Sequence, residues 1–322
     1  MKKILVIDPG KGWGHFVSKI YAFRALSENL NSKITFLTKE STQAEAYLKN
    51  EDFCEEIIYL QEFRGGLNKI IGNIKENLFQ IRRLKNLKID TCYIFHPSCR
   101  FVFMAYLANI KNIYGLGYRY QNFFLKKNKK LYTSFFSQCV PNDNEAVKFV
   151  EKLFNIDKIN FKPMNNSSNE KNTLIAIGIA SSEEEKRWSI DSYIEIVKYL
   201  LKKNYSNFLI ISGKDQSKEE QYIKEKLNNN NINLIFTSKK KIFEVIPDML
   251  KCKFYVGNDT GFAHLFINYG INCHIIYGNC VPQYYSKSIN IIDKDKNVER
   301  SDTSIKTIEV NKVIESLQPN FT

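Results

Sequence analysis

The sequence predicts an α/β protein made of two Rossmann-like halves facing a central cleft. Three observations carry this. Short apolar runs alternate with helix-period segments along the chain. A polar, asparagine-rich stretch at residues 156–172 interrupts the alternation once, so residues 1–158 and 159–322 read as separate domains. The length, 322 residues, is too great for one small domain and suits two of ordinary size.

The elements follow in order. KILVID (3–8) reads as a strand, FVSKIYAFRALSENL (16–30) has helical spacing, and KITFLT (33–38) is a strand again. A helix near 41–49 and the strand EEIIYL (55–60) come next. Residues 66–86 carry Leu67, Ile70, Ile71, Ile74, Leu78, Ile81 and Leu84 on one helix face, with lysines and arginines opposite. TCYIF (91–95) is the next strand, and this βαβα order means a parallel sheet covered on both faces. After the linker, TLIAIGIA (173–180), NFLIIS (207–212), NLIF (233–236), CKFYVGN (252–258) and CHIIYG (273–278) read as strands, and SIDSYIEIVKYLLKKN (189–204) as a helix.

Composition narrows the class. Hydrophobic residues make up 43% and charged residues 25%, ordinary for a soluble globular protein. No apolar run approaches the roughly 18 residues of a membrane span. The run Ile4–Ile7 is too short for the apolar region of a signal peptide, so the expectation is a cytoplasmic protein. The seven cysteines are odd in number and form no C-x-x-C pair, which argues against a disulfide framework or a zinc site and for buried small hydrophobes. The formal net charge is +13, with basic clusters at Arg82–Lys88, Lys126–Lys130 and Lys239–Lys241. Such clusters attract phosphorylated substrates, polyanions or an anionic membrane surface. No nucleic-acid motif accompanies them, so no nucleic-acid partner is expected.

Four stretches carry candidate chemistry. In DPGKGWGHF (8–16) the glycines Gly10, Gly12 and Gly14 are spaced G-x-G-x-G, not as a dinucleotide fingerprint. The stretch is either a turn that lets backbone approach a ligand or a tight strand-to-helix turn without one. FYVGNDTGFAHL (254–265) puts Asp259 or Thr260 at a helix N-cap and His264 on the same face four residues after Thr260. That is either an anion site suited to a diphosphate or a capped helix with a core histidine. Between a strand and a helix lie Ser181, Ser182, Lys186 and Trp188; the lysine either neutralises a leaving phosphate or belongs to a solvated charge run. FHPSCR (95–100) offers His96, Ser98 and Arg100 to a phosphorylated acceptor sugar, or is only a polar strand-end loop. His274 begins an apolar strand and reads as structural.

The two C-terminal stretches, in this order, resemble glycosyltransferase family 9, the ADP-heptose:lipopolysaccharide heptosyltransferases. That family looks like G-A-S-S-x-x-K-R-W-P followed by G-N-D-T-G-x-x-H-L. Here Ile179-Ala180-Ser181-Ser182 leads to Lys186-Arg187-Trp188, Gly257–Leu265 carries the second pattern, and IYGNCVP (276–282) is similar to the family's F-G-P-T-x-P. The resemblance implies a GT-B fold, a nucleotide-sugar donor such as ADP-heptose in the C-terminal domain, and a lipopolysaccharide or other surface-glycan acceptor on the N-terminal one. It implies inversion by direct displacement without a metal or other cofactor. Lys186, Ser181 and Ser182 would hold the donor phosphates; Asp259, Thr260 and Gly261 the donor sugar and diphosphate; His264 the leaving group or sugar.

The family's N-terminal loop, R-x-S-x-x-G-D, is matched by DPGKGWGH, one residue longer. Gly14 stands at the glycine, His15 where the family has its proposed aspartate base, and Asp8 at the arginine. Three assignments stay open: His15 accepts the acceptor's proton, Asp8 does so from the strand end, or the loop holds no base. Gly14, His96 and Arg100 complete the acceptor side. A lipid-anchored phosphorylated acceptor would draw the basic N-terminal face to the inner leaflet, and the last helix is open to packing back on the N-terminal domain. Two other readings remain: another GT-B enzyme, including a nucleotide-sugar 2-epimerase, or an inactive nucleotide-sugar-binding relative, motivated by the missing carboxylate at position 15.

Overall fold

The computed structural model describes the chain apart from residues 1, 11, 64–65, 97, 118–130, 138–143, 161, 165–173, 229–230 and 322, and the side chains of 66–70, 135 and 137. Most of the expected 156–172 linker, the cluster Lys126–Lys130 and Cys139 lie outside the described residues. The chain divides into two compact units, Met1–Asn160 and Phe161–Thr322.

The first unit runs β1 (Ile4–Ile7), α1 (Trp13–Val17), α2 (Ile20–Leu30), β2 (Ile34–Lys39), α3 (Glu45–Leu48), β3 (Cys54–Leu60), α4 (Gly66–Leu87), β4 (Thr91–Ile94), α5 (Cys99–Leu107), β5 (Asn112–Gly117), β6 (Ser134–Ser137) and α6 (Glu145–Phe154). The second runs β7 (Leu174–Gly178), α7 (Ile190–Lys202), β8 (Asn207–Ile211), α8 (Ser217–Lys226), β9 (Asn233–Phe236), α9 (Ile242–Met249), β10 (Cys252–Asn258), α10 (Gly261–Asn268), β11 (Asn272–Tyr277), β12 (Ile289–Asp293) and α11 (Val310–Leu317). Each unit holds one six-stranded sheet, and every pairing is parallel.

The orders are β3-β2-β1-β4-β5-β6 and β12-β11-β10-β7-β8-β9. Both describe the same permutation: the chain winds outward from its first strand, then returns to the other side of it. The direction reverses between β1 and β4 in one unit and between β7 and β10 in the other. Loops diverge at such points, leaving a crevice at the carboxyl ends of the strands where ligands bind in this class of sheet. The strands can be almost wholly apolar because helices cover both faces; β1 and β7 are buried throughout.

Two elements depart from the sequence reading. The helix expected at 16–30 begins at Trp13 and breaks after Val17. Gly12, at φ +78°, turns the chain into α1, a backbone region that L side chains rarely adopt. The break lets Lys19 point its ammonium back to Asp8. Helix α4 turns the wrong stripe inward. Gly72, Glu76, Gln80 and Leu84 are buried, while Ile71, Ile74 and Leu78 of its apolar face are about half exposed. The polar stripe is used locally: Glu76 accepts from the Gln61 N–H at 3.2 Å and from Gln80 at 2.7 Å, satisfying backbone where β3 ends. The last helix, α11, packs Val313 and Leu317 into the core of its own unit. Among the described residues no helix is long and apolar enough to cross a membrane.

Candidate active site

In the second unit the crevice between β7 and β10 is built on a close approach. A Cβ on Gly257 would lie 2.4 Å from the carbonyl oxygen of Gly178, backbone against backbone. Asn258 then ties the two strand ends together. Its Oδ1 accepts from Trp188 N–H (3.1 Å) and the Tyr193 hydroxyl (2.8 Å), and its Nδ2 donates to the carbonyls of Ile179 (3.0 Å) and Ala180 (3.4 Å). With no exposure and four hydrogen bonds, it is a fully satisfied staple. Arg187 adds a second clamp, donating to the Ser181 carbonyl from Nε (3.0 Å) and Nη2 (2.8 Å). Trp188 is buried and donates from its ring to Ile308.

The loops thus fixed bring Asp259 close enough to Lys186 and Cys280 for its charge to act on both. Lys186 Nζ pairs with Glu183 at 2.7 Å. Burial works against its charge, but Glu183, with Cys280 and Asp259 nearby, raises its pKa above the ordinary lysine value. Burial likewise pushes the Cys280 thiol up, against the pull of Lys186. Arg300 fixes the loop after β11 by donating to the carbonyls of Gly278 (3.0 Å) and Cys280 (2.6 Å), and is itself held by Asp293.

Thr260 is the N-cap of α10, but its side chain makes no capping bond. Oδ1 of Asp259, Oγ1 of Thr260 and Oδ1 of Asn279 are buried without a hydrogen-bond partner among the described residues. His264 Nε2 stands 3.4 Å from Asp259 Oδ1, an ion pair only when the imidazole is protonated. Its Nδ1 shares a 2.6 Å hydrogen bond with the Tyr285 hydroxyl. Burial holds the Tyr285 phenol protonated. Ser181 is buried, and its hydroxyl is taken up by Glu183, donating to the carbonyl (2.8 Å) and accepting from the N–H (3.2 Å); Ser182 is exposed.

In the first unit, the crevice between β1 and β4 gathers Asp8, His15 and His96. Asp8 is buried, and both its oxygens accept from Lys19 Nζ at 3.0 Å. His15 is exposed on α1, beside Gly14. Its ring lies over Gly10, where a Cβ would come within 2.7 Å of Nδ1 and 3.4 Å of Asp8 Oδ1. His96 accepts from the Ser98 N–H at Nδ1 (3.1 Å), so the proton of its neutral form sits on Nε2. Burial lowers its pKa to about 4, which leaves it uncharged at neutral pH, with Nε2–H as a donor and no positive charge. Ser98 caps α5. Arg100 turns to α4 instead, donating from Nε to Asn77 Oδ1 at 2.6 Å.

The structure places several residues here that the sequence reading did not single out. Lys19 was legible in principle, as the one cation within the apolar run FVSKIYAF. Cys280 and Tyr285 were not, because only the β10–β11 pairing brings them to Lys186 and His264. His274 is structural: buried, it contacts Ser316 (2.7 Å) and Asn320 (2.8 Å). Among the described residues no group of three or more His, Cys, Asp or Glu is arranged to hold a metal ion.

The same architecture occurs in solved structures. A family 9 glycosyltransferase from Veillonella parvula is 17% identical, with a TM-score of 0.77 over 99% of this chain and 97% of that one. The E. coli ADP-heptose lipopolysaccharide heptosyltransferase II is 16% identical, with a TM-score of 0.76 over 99% and 98%. The E. coli heptosyltransferase WaaC, solved with ADP, is 14% identical, with a TM-score of 0.73 over 99% of both chains. These likenesses give the fold, GT-B. No curated protein sequence matches the chain. Residues 81–297, well over half of the chain, match the sequence pattern described as glycosyltransferase family 9 (heptosyltransferase). The pattern takes in Lys186, Asn258, Asp259, Thr260 and His264, and with it the chain belongs to glycosyltransferase family 9, a family of sugar-transferring enzymes.

Proposed function

We propose that the chain transfers a sugar from a nucleoside diphosphate donor, ADP-heptose in the first instance, to a lipopolysaccharide-type acceptor with inversion at the anomeric carbon. The carrying observation is the set of buried oxygens at the β7/β10 switch point that make no hydrogen bond among the described residues. Each costs about 1–3 kcal/mol unless a ligand satisfies it. Their chemistry divides the work. Asp259 Oδ1 and Asn279 Oδ1 are acceptors, suited to the hydroxyls of a donor sugar. Lys186 and the N–H groups at the start of α10, from Gly261 onward, are donors suited to a diphosphate. A phosphate would take Lys186 over from Glu183. His264, with Tyr285 behind it, supports the sugar or the leaving group. The relatives add support, since WaaC was solved with ADP and with an ADP-2-deoxy-2-fluoro heptose.

The acceptor hydroxyl attacks the anomeric carbon, its C–O bond forms as the bond to the diphosphate oxygen breaks, and the pair of electrons leaves with the diphosphate. His15 takes the hydroxyl proton. It is the exposed base of its loop, whereas Asp8 is buried and committed to Lys19. Gly14 and His96 flank the acceptor, and Arg100 acts by holding α5 to α4. The working place is the cytoplasmic face of the inner membrane.

The test is transfer from ADP-heptose to a lipopolysaccharide core acceptor, followed by mass spectrometry and anomeric NMR. Expected are inverted product and one nucleoside diphosphate released per sugar. His15→Ala should lower kcat by about 10²–10⁴-fold with donor KM unchanged. Nucleotide binding without turnover on any donor would instead establish the inactive-relative reading.

A further inference from the structure

Helix α4 hides Glu76 and Gln80 and leaves Ile71, Ile74, Leu78 and Phe79 about half exposed. Helix α5 leaves Phe103, Tyr106 and Leu107 about half exposed as well. Both helices pack on the same face of the first sheet: Leu84 of α4 and Phe101, Val102, Met104 and Ala105 of α5 share one core cluster with β1 and β4. Arg100 and Asn77 bind the helices to each other. Their outward sides therefore point the same way, and the exposed residues recur at helical spacing, 71, 74, 78 and 103, 106, 107. Scattered exposed hydrophobes are normal, but a run of them over a helix whose buried stripe is polar marks a surface made for a partner.

Charge decides which partner. Lys75, Arg82, Lys85 and Lys88 are exposed on or just after α4, and none makes an ion pair among the described residues. Arg83, by contrast, pairs with Glu56. The only glutamate within α4, Glu76, is buried. An apolar strip bordered by uncompensated cations fits a surface that is apolar at depth and anionic at its rim. We infer that the outer face of α4 and α5 docks on an anionic lipid membrane, the apolar side chains entering the headgroup–acyl boundary and the cations meeting lipid phosphates. The strands are parallel, so α4 starts at the sheet edge that carries His15 and His96. Ile71 and Ile74 lie in its part nearest that edge, and docking brings the candidate acceptor loops to the bilayer surface.

The experiment is co-sedimentation of the full chain with vesicles of phosphatidylglycerol and phosphatidylethanolamine, and with phosphatidylcholine vesicles as the neutral case. The full chain should bind the anionic vesicles, release them in high salt, and ignore the neutral ones. A Leu78→Ser, Phe79→Ser, Phe103→Ser variant and an Arg82→Glu, Lys85→Glu variant should each bind at least about tenfold more weakly. Both change exposed positions, and unchanged melting temperatures would show that they fold. Failure to bind anionic vesicles, or equal binding by folded variants, would overturn the inference. So would a dimer in light scattering that the serine variant dissolves, which would give this face to a second copy of the chain.

Discussion

Asp259, Thr260, Tyr277 and Asn279 each bury an oxygen that makes no hydrogen bond among the described residues. Asn258, next in sequence to Asp259, shows the contrast with its four hydrogen bonds. One residue is structural and its neighbour is left open, which separates the staple from the site. The histidines divide in the same way. Burial lowers the pKa of His274 from 6.5 to about 4. As pH falls below about 6.5 the unfolded chain takes up this proton and the folded one does not. The stabilisation is therefore complete above pH 6.5 and is lost between pH 6.5 and 4, on the order of 3 kcal/mol. His96 shifts in the same direction. Urea unfolding across that range should show stability rising with pH, and His274→Gln should flatten the slope. A slope unaffected by that substitution would contradict the assignment.

At the scale of elements, the site depends on how closely β7 and β10 approach. Gly257→Ala would drive a Cβ into the Gly178 backbone at 2.4 Å, so the strands must part. The expected cost is about 2–4 kcal/mol in chemical denaturation, with donor affinity falling as well. Asn258→Ala should destabilise by a comparable amount, since it strands the Trp188 N–H and the Ile179 carbonyl. Nucleotide affinity should fall too, although the Asn258 amide is wholly taken up by protein groups. The strands themselves were legible in the sequence, because runs such as ILVI and LIAIG are buried on both faces and need no polar residue. Helix α4 was not: periodicity identifies an apolar stripe but not which way it faces, and here the end of β3 claims the polar stripe. The break between α1 and α2 was hidden for a related reason, since helical spacing continues across it while Lys19 turns back to Asp8.

At the scale of the molecule, the same strand permutation occurs twice, and each switch point carries one of the motif loops read from the sequence. The C-terminal motifs were legible because their residues are contiguous. The links from Lys186 to Cys280 and from His264 to Tyr285 cross between loops and needed the fold. The central claim is that the β7/β10 crevice binds a nucleoside diphosphate through Lys186 and the start of α10. It is tested most directly by calorimetric titration of the chain with ADP, UDP, GDP and CDP, repeated with Lys186→Ala. The account predicts saturable one-to-one binding, with ADP favoured, weakened about 10- to 100-fold by the substitution. No binding by any of the four, or binding that Lys186→Ala leaves unchanged, would contradict it.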